Sequence, residues 1–286
     1  MKRILLPILA LGLFLGATGP AGAADLRFEF GFGWTLVAPR LNATYPSQYA
    51  PPLVPQERYV ASAMAQTLHF KGKTAYGFNG FFNVFLTENF GLQVLADYHR
   101  PGIRGDNSEY AGEVQFLDYN DEVATVELTR PWESSAGNLS ETTFSFNALA
   151  RFRIARDLHL SVSAGPTVFN FEGKVGYIGY TELDLVVEES SYDLSGMTYM
   201  TIASLEPRTK YGFNLGVEGA YEIMRHVILA LDLRWYQGAS ADVQMHIVDD
   251  ELYPRPADEI EQALGLGTIR VNPSYMRAGL AIRFIF

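Results

Sequence analysis

Along the last twelve residues, Tyr275 to Phe286, oily and polar positions alternate. Met276, Ala278, Leu280, Ile282, Phe284 and Phe286 make one apolar face, while the other face carries Arg277 and Arg283. A period of two is a β-strand, and a strand built this way needs hydrocarbon on one side and polar company on the other. The same alternation recurs along the chain. Three short polar turns, Thr87-Glu88-Asn89, Ala155-Arg156-Asp157 and Met224-Arg225-His226, each separate two alternating runs and lie about 68 residues apart. The chain is therefore four similar units, each an ascending strand, a long connection and a descending strand.

That organisation predicts eight strands, at 25–37, 74–86, 90–100, 142–154, 158–170, 209–222, 227–238 and 274–286. Each can cross a bilayer when tilted, at about 9–11 residues per crossing. Three short turns then share a side with both termini, and four long loops, 38–73, 101–141, 171–208 and 239–273, lie opposite. The predicted fold is all-β, a transmembrane antiparallel up-and-down barrel of eight strands. The alternative is ten to twelve strands, if the alternating pieces inside the loops belong to the wall. Trp34, Tyr76, Tyr98, Tyr211 and Trp235 all fall near the loop ends, where amphipathic rings sit at the headgroup level.

The C-terminal strand resembles the terminal signal of bacterial outer-membrane β-barrels, in which a polar residue, a glycine and alternating apolar residues end on an aromatic. Arg277, Gly279, Ile282, Phe284 and Phe286 fill those places. The whole mature chain resembles the eight-stranded barrels of the outer-membrane protein A membrane domain and its small relatives. The resemblance implies residence in the cell outer membrane among its lipid and lipopolysaccharide, and insertion by the barrel-assembly machinery through the C-terminal strand. It also implies a structural or surface-contact role in the envelope, adhesion-like, with an extracellular ligand met at the loops. No peptidoglycan-binding domain is expected after the last strand.

The N-terminus agrees with this address. Lys2 and Arg3, an apolar run from Ile4 to Leu15, and Ala21-Gly22-Ala23 read as a signal peptide over 1–23, leaving 24–286 as the barrel. Its removal takes formal net charge from −10 to −12. The chain has no cysteine, which excludes a lipoprotein anchor, disulfides and thiolate metal sites. Hydrophobic residues make up 48% of the chain and aromatics 13%, yet mean hydropathy is only +0.02, because in a barrel only alternate residues meet lipid. The acidic balance and the lack of a Lys/Arg cluster in the sequence argue against nucleic acid as a partner.

The face opposite the oily one carries Arg27, Glu29, Asp97, Arg151, Arg153, Glu218, Glu222, Asp232, Arg234, Arg277 and Arg283, six cations against five anions. An eight-stranded barrel has room inside for little more than its own side chains. A lumen filled by ion pairs is expected, joined by Asn79, Asn83, Gln93, Asn147 and Asn214: a plug. In the third turn, a register centred on His226 is favoured, because it places Glu218 opposite Arg234 rather than opposite Asp232. Pro166, inside a predicted strand, marks either a bulge or the point where the wall leaves the membrane.

Among the loops, the first is rich in proline (Pro39, Pro46, Pro51, Pro52, Pro55) and is expected to be extended rather than sheet-like. The second reads as a hairpin, Glu113–Tyr119 and Val123–Thr129 around Asn120-Asp121; alternating runs at Leu183–Val187 and Val243–Val248 extend the strands in the third and fourth. Acidic clusters, such as Asp249-Asp250-Glu251, form a solvated rim or capture divalent cations shared with lipopolysaccharide phosphates.

No catalytic residue, metal site or cofactor is assigned. His159-x-Ser161 resembles the His-x-Ser of outer-membrane lipid A deacylases but faces inward at the wrong end and lacks the following Asn. His99, two residues after Asp97, is read as a lumen hydrogen-bonding group. Two other functions stand beside surface contact. One is a narrow porin or transporter for small apolar molecules, which the inward Phe81 and Phe85 favour; the other is a lipid-modifying enzyme.

Overall fold

The computed structural model describes residues 26–48, 59–117, 120–128, 136–181, 184–187, 190–193, 197–250, 257–258, 261 and 267–286. The signal-peptide assignment over 1–23 and several of the acidic positions, Asp118, Glu182, Glu188, Glu189, Glu251 and Glu259, lie outside the described residues.

Sixteen strands occur among them: β1 (Arg27–Pro39), β2 (Asn42–Gln48), β3 (Tyr59–Gly72), β4 (Ala75–Phe85), β5 (Phe90–His99), β6 (Gly102–Leu117), β7 (Val123–Leu128), β8 (Ala136–Arg153), β9 (Leu158–Thr181), β10 (Asp184–Val187), β11 (Ser190–Asp193), β12 (Met197–Met224), β13 (Val227–Gly238), β14 (Ala241–Asp250), β15 (Thr268–Val271) and β16 (Tyr275–Ile285). Eight of them close a ring of antiparallel ladders, in the order β1, β4, β5, β8, β9, β12, β13, β16 and back to β1. These are the eight predicted strands, and the ten-to-twelve-strand alternative does not hold. The alternating pieces within the long connections stack above the membrane ring instead of widening it.

The faces sort as the period of two requires. Phe30, Phe32, Trp34, Phe78, Leu92, Phe146, Phe213, Leu215, Leu231, Leu233 and Leu280 are exposed, while their neighbours along each strand are buried. An outward apolar wall this large is untenable in water and is what hydrocarbon demands. At its outer margin Tyr76 is 84% and Tyr211 71% exposed, and Trp34 and Tyr98 are exposed beside them.

Just beyond that aromatic margin the wall has a seam. Strands end and new ones begin at Arg40-Leu41, Lys73-Thr74, Arg100-Pro101, Ala239-Ser240 and Asn272-Pro273-Ser274, whereas β8, β9 and β12 run through without ending. Single backbone bonds carry the sheet across the steps: Arg40 N donates to Ser274 O at 2.8 Å, Lys73 N to Gly102 O at 2.8 Å and Leu139 N to Pro101 O at 3.0 Å. The prolines explain the breaks. Pro39, Pro101 and Pro273 lack the donor a continuing ladder needs, and Pro207 sits in the bulge where the β9–β12 register shifts between Leu205 and Arg208. Pro39 and Pro273 each lie against a glycine; a Cβ on Gly72 or Gly238 would come within 2.6 Å of the facing proline ring.

Above the seam the wall continues as β2, β3, β6, β8, β9, β12, β14 and β15, with β15 beside β2. Its interior is apolar: Leu41, Phe70, Ile103, Leu139, Phe171 and Met245 belong to one buried cluster. The first connection is therefore sheet, contrary to expectation, since β2 pairs β3 from Asn42↔Lys71 to Gln48↔Ala65. Pro46 is tolerated because its strand has a ladder on one side only among the described residues. The expected hairpin in the second connection is present as β6 and β7, with Asp121 at φ 61° in its turn. The third holds a small hairpin, β10 with β11.

Pro166 causes neither a bulge nor an exit. It pairs with Phe213 in unbroken β9–β12 register, and β9 runs on to Thr181. The β8–β9 ladder skips only the positions between Ser145↔Thr167 and Ala148↔Ala164 and resumes in the same register. Neighbouring Gly165 permits this close approach, for its Cβ would lie 1.9 Å from Phe146 O.

Candidate functional site: the sealed lumen

Inside the membrane ring, residues from opposite walls meet in stacked polar layers. Nearest the short turns, Glu29 of β1 is wholly buried and takes a two-pronged grip from Arg151 of β8, Nη1 to Oε1 at 2.6 Å and Nη2 to Oε2 at 2.7 Å. A planar guanidinium matches a carboxylate in this fork, which fixes both partners. Arg283 of β16 reaches Glu29 Oε2 at 3.1 Å and bonds Glu218 of β12 with its other nitrogen. Arg27 approaches from the mouth, 3.0 Å from Glu29 Oε1.

The next layer is a chain of amides. Asn83 donates to Glu29 (3.2 Å), Gln93 to Asn83 (3.1 Å), Asn147 to Gln93 (2.9 Å) and Asn214 to Asn147 (2.7 Å). Arg234 closes it, donating to Ser163 at 2.8 Å and to Gln93 at 3.2 Å. Above that, Arg277 links Asp97 (3.2 Å) to Asp232 (2.7 Å), and the Tyr236 hydroxyl donates to Asp97. A top layer sets His99 Nε2 3.4 Å from Glu141 Oε2, with the Tyr275 ring against the imidazole and the Tyr275 hydroxyl 3.0 Å from Thr143 Oγ1. The apolar core of the outer wall begins directly above, with Leu139 two residues from Glu141 on β8.

Of the eleven charged residues assigned to the lumen, eight are buried there: Glu29, Asp97, Arg151, Glu218, Asp232, Arg234, Arg277 and Arg283. Three sit at the turn end. Arg27 is partly exposed, Glu222 is half-buried, and Arg153 is exposed and donates to Arg156 O at 3.0 Å. Asn79 is buried with its Oδ1 unpartnered among the described residues, while the other four amides join the chain. Glu141 falls at the end of the predicted loop 101–141 and so outside the predicted lumen set. The alternation through Thr143, Ser145 and Asn147 points to it when carried two residues further up β8.

The third turn departs from the favoured register. Glu218 pairs with Asp232, not Arg234, and Ile223 is bulged out so that Arg225-His226 can turn the chain, His226 at φ 71°. The cross-strand partner of Arg234 is Gly216, whose missing side chain leaves the guanidinium room: a Cβ there would lie 2.5 Å from Arg234 Cζ. The adjacent carboxylates are tolerated because each is claimed from β16, Glu218 by Arg283 and Asp232 by Arg277. Glu218 and Asp232 are thus matched from β16 rather than across their own hairpin, while Glu29–Arg151 and Asp97–Arg277 span the tube.

Phe81 and Phe85 face inward but do not line a mouth. The Arg151 guanidinium lies 4.0 Å from the Phe85 ring centre and that of Arg283 lies 5.4 Å from Phe81. His159 is half-buried on the inward face, and Ser161 accepts from Arg151 Nε at 3.5 Å, so the pair faces away from lipid. In the C-terminal strand, Arg277 and Gly279 point inward. Ile282, Phe284 and Phe286 lie on the outward face, and Phe286 N donates to Phe28 O at 3.0 Å.

The chain is an eight-stranded transmembrane barrel. No family model matches it, and no curated protein matches it in sequence. Among solved structures it is similar to the outer membrane protein OprG from Pseudomonas aeruginosa at 9% identity, covering 91% of this chain and 95% of that one, with a TM-score of 0.44. It is also similar to the outer membrane protease OmpT from Escherichia coli (8% identity, 94% and 99% covered, TM-score 0.40). A third is Ail, the attachment invasion locus protein of Yersinia pestis (9% identity, 91% and 99% covered, TM-score 0.35). The architecture rests on this chain's own ladders and not on these likenesses.

Proposed function

We propose that this protein is an outer-membrane barrel closed to ions, which acts as a structural and surface-contact element of the cell envelope rather than as an enzyme. The observation that carries the reading is the continuity of the network across the lumen, from Glu29, Arg151, Arg283 and Glu218 through the amide chain to Asp97, Arg277 and Asp232. Every layer joins opposite walls. What remains for the environment is the outer wall and its rim, where an extracellular ligand is met. Residues 1–23 serve as the export signal in this reading, and the outward Ile282, Phe284 and Phe286 are what the assembly machinery reads.

The apolar interior above the seam favours a second reading, passage of small apolar molecules. Such a path has to cross the Asp97, Arg277 and Tyr236 layer, whose desolvated ions repel an apolar solute. Planar-bilayer recording separates the two. The intact protein is expected to give no single-channel steps, and an Arg234→Ala, Arg277→Ala variant, which empties the central layers, is expected to give small steady ones. Steady conductance from the intact protein would defeat the closed-lumen reading.

A further inference from the structure

We infer that the outward face of the seam binds the phosphate groups of outer-leaflet lipid. The chain is acidic, at formal net charge −10, yet many of its 22 Lys and Arg residues gather at this one level. Lys71, Lys73, Arg100, Arg104 and Lys174 are all exposed there. They form one patch across neighbouring strands. Lys71 and Arg104 are ladder partners, Lys73 N donates to Gly102 O at 2.8 Å, Arg100 Nε donates to Asn138 Oδ1 at 3.0 Å, and Asn138 is the ladder partner of Lys174. On β12, Lys210 lies opposite the buried Phe169 and so on the inward face, and Glu206 neutralises Arg208 at 2.5 Å. Glu172 is the exposed acid beside Lys174 on β9.

Height decides the ligand. Lys73 is three residues above Tyr76, and Arg100 two above Tyr98, on strands that rise about 3.3 Å per residue. On strands tilted about 45° that puts the cations roughly 5–7 Å above the aromatic margin, level with a headgroup layer about 5–7 Å thick. A cluster of Lys and Arg held at an anionic lipid surface is attracted to its phosphates, and Arg can grip a phosphate with two nitrogens. The seam helps to supply the placement: at the break Lys73 and Thr74 are both exposed, while Arg100 keeps the outward parity of Tyr98 and Arg104. The inference rests on the barrel's place in a membrane and not on the closed lumen, so conductance and lipid binding fail independently.

The test uses the full-length folded protein in detergent, titrated with bisphosphorylated lipid A, fully dephosphorylated lipid A and inorganic phosphate. Saturable binding of the bisphosphorylated lipid is expected, about a hundredfold weaker in a Lys71→Gln, Lys73→Gln, Arg104→Gln variant. Arg153→Gln, at the other end of the barrel, is expected to bind like the parent. Heat-modifiable gel migration shows that each variant is folded. The dephosphorylated lipid needs no variant and is expected to bind at least tenfold more weakly than the bisphosphorylated form. Equal binding of both lipids, or an unchanged affinity in the folded triple variant, would overturn the inference. So would inorganic phosphate binding as tightly as the lipid, which makes the patch a free-anion site. Binding abolished by a chelator but untouched by the triple variant would also overturn it, leaving the rim acids and divalent cations as the attachment.

Discussion

Replacing Glu29 by alanine is expected to lower folding stability by about 3–5 kcal/mol, because it strands buried arginine charge rather than deleting a single contact. Three guanidiniums converge on this carboxylate, at 2.6, 3.1 and 3.0 Å for Arg151, Arg283 and Arg27, and none of its own surface is exposed. Arg283 retains Glu218, but Arg151 is left with Ser161 and the Phe85 ring. Glu29→Gln keeps acceptor oxygen for one arginine and is expected to cost less. A Glu29→Leu, Arg151→Met double variant removes both partners of the fork and is expected to recover much of the loss, since buried ion pairs are often replaceable by apolar groups. Urea midpoints for unfolding from lipid vesicles give these values, provided the slope is unchanged. An alanine variant as stable as the parent would mean that the arginines do not depend on Glu29 for their burial.

Leu231→Arg addresses the other face of the wall. Leu231 is 57% exposed near the middle of β13, between Gly219 of β12 and Leu280 of β16, and points where acyl chains lie. An arginine at mid-bilayer on the lipid face of a barrel costs about 2–4 kcal/mol, falling to about 0–1 near the interface. The same substitution at Tyr76, in the aromatic margin, is therefore expected to be nearly neutral. Both are read from the same urea titration. Equal costs at the two sites would deny that the wall has a hydrocarbon midplane.

Much of this barrel is legible from alternation alone, and the reason is physical. Each membrane strand separates lipid from lumen, so a slip of one residue would put Asp232 or Arg283 into hydrocarbon. That constraint writes itself into the sequence. It weakens above the membrane, where Phe70, Phe171 and Met245 face an apolar interior and the outer side meets water, reversing the hydrophobic sense of the faces. There the proline-rich stretch after Pro39 concealed strands that an edge position tolerates. Pro39, Pro101, Pro207 and Pro273 were nevertheless a signal: four prolines at one level of the wall mark the seam.

Lumen pairing was less legible than lumen membership. Glu29 finds Arg151 across the tube and Glu218 finds Arg283 over the intervening β13, choices set by barrel curvature and closure that no cross-strand rule contains. The register at the third turn turned on a single bulged residue, Ile223, which alternation cannot reveal. Glu141 sits one residue before the predicted strand 142–154, so the alternation that marks Thr143 stops short of it, whereas the strand begins at Ala136.

The central claim is that ionised side chains are sealed within the cylinder while apolar ones face acyl chains. Because the chain has no cysteine, single cysteines can be introduced and spin-labelled without background. Labels at Leu92, Leu215 and Leu231 in lipid vesicles are predicted to be relaxed by dissolved oxygen and shielded from a water-soluble nickel chelate. Labels at Gln93 and Ala230, one residue from Leu92 and Leu231, are predicted to be shielded from both. Oxygen contact at Gln93 and Ala230, or no alternation between the two sets, would contradict the account.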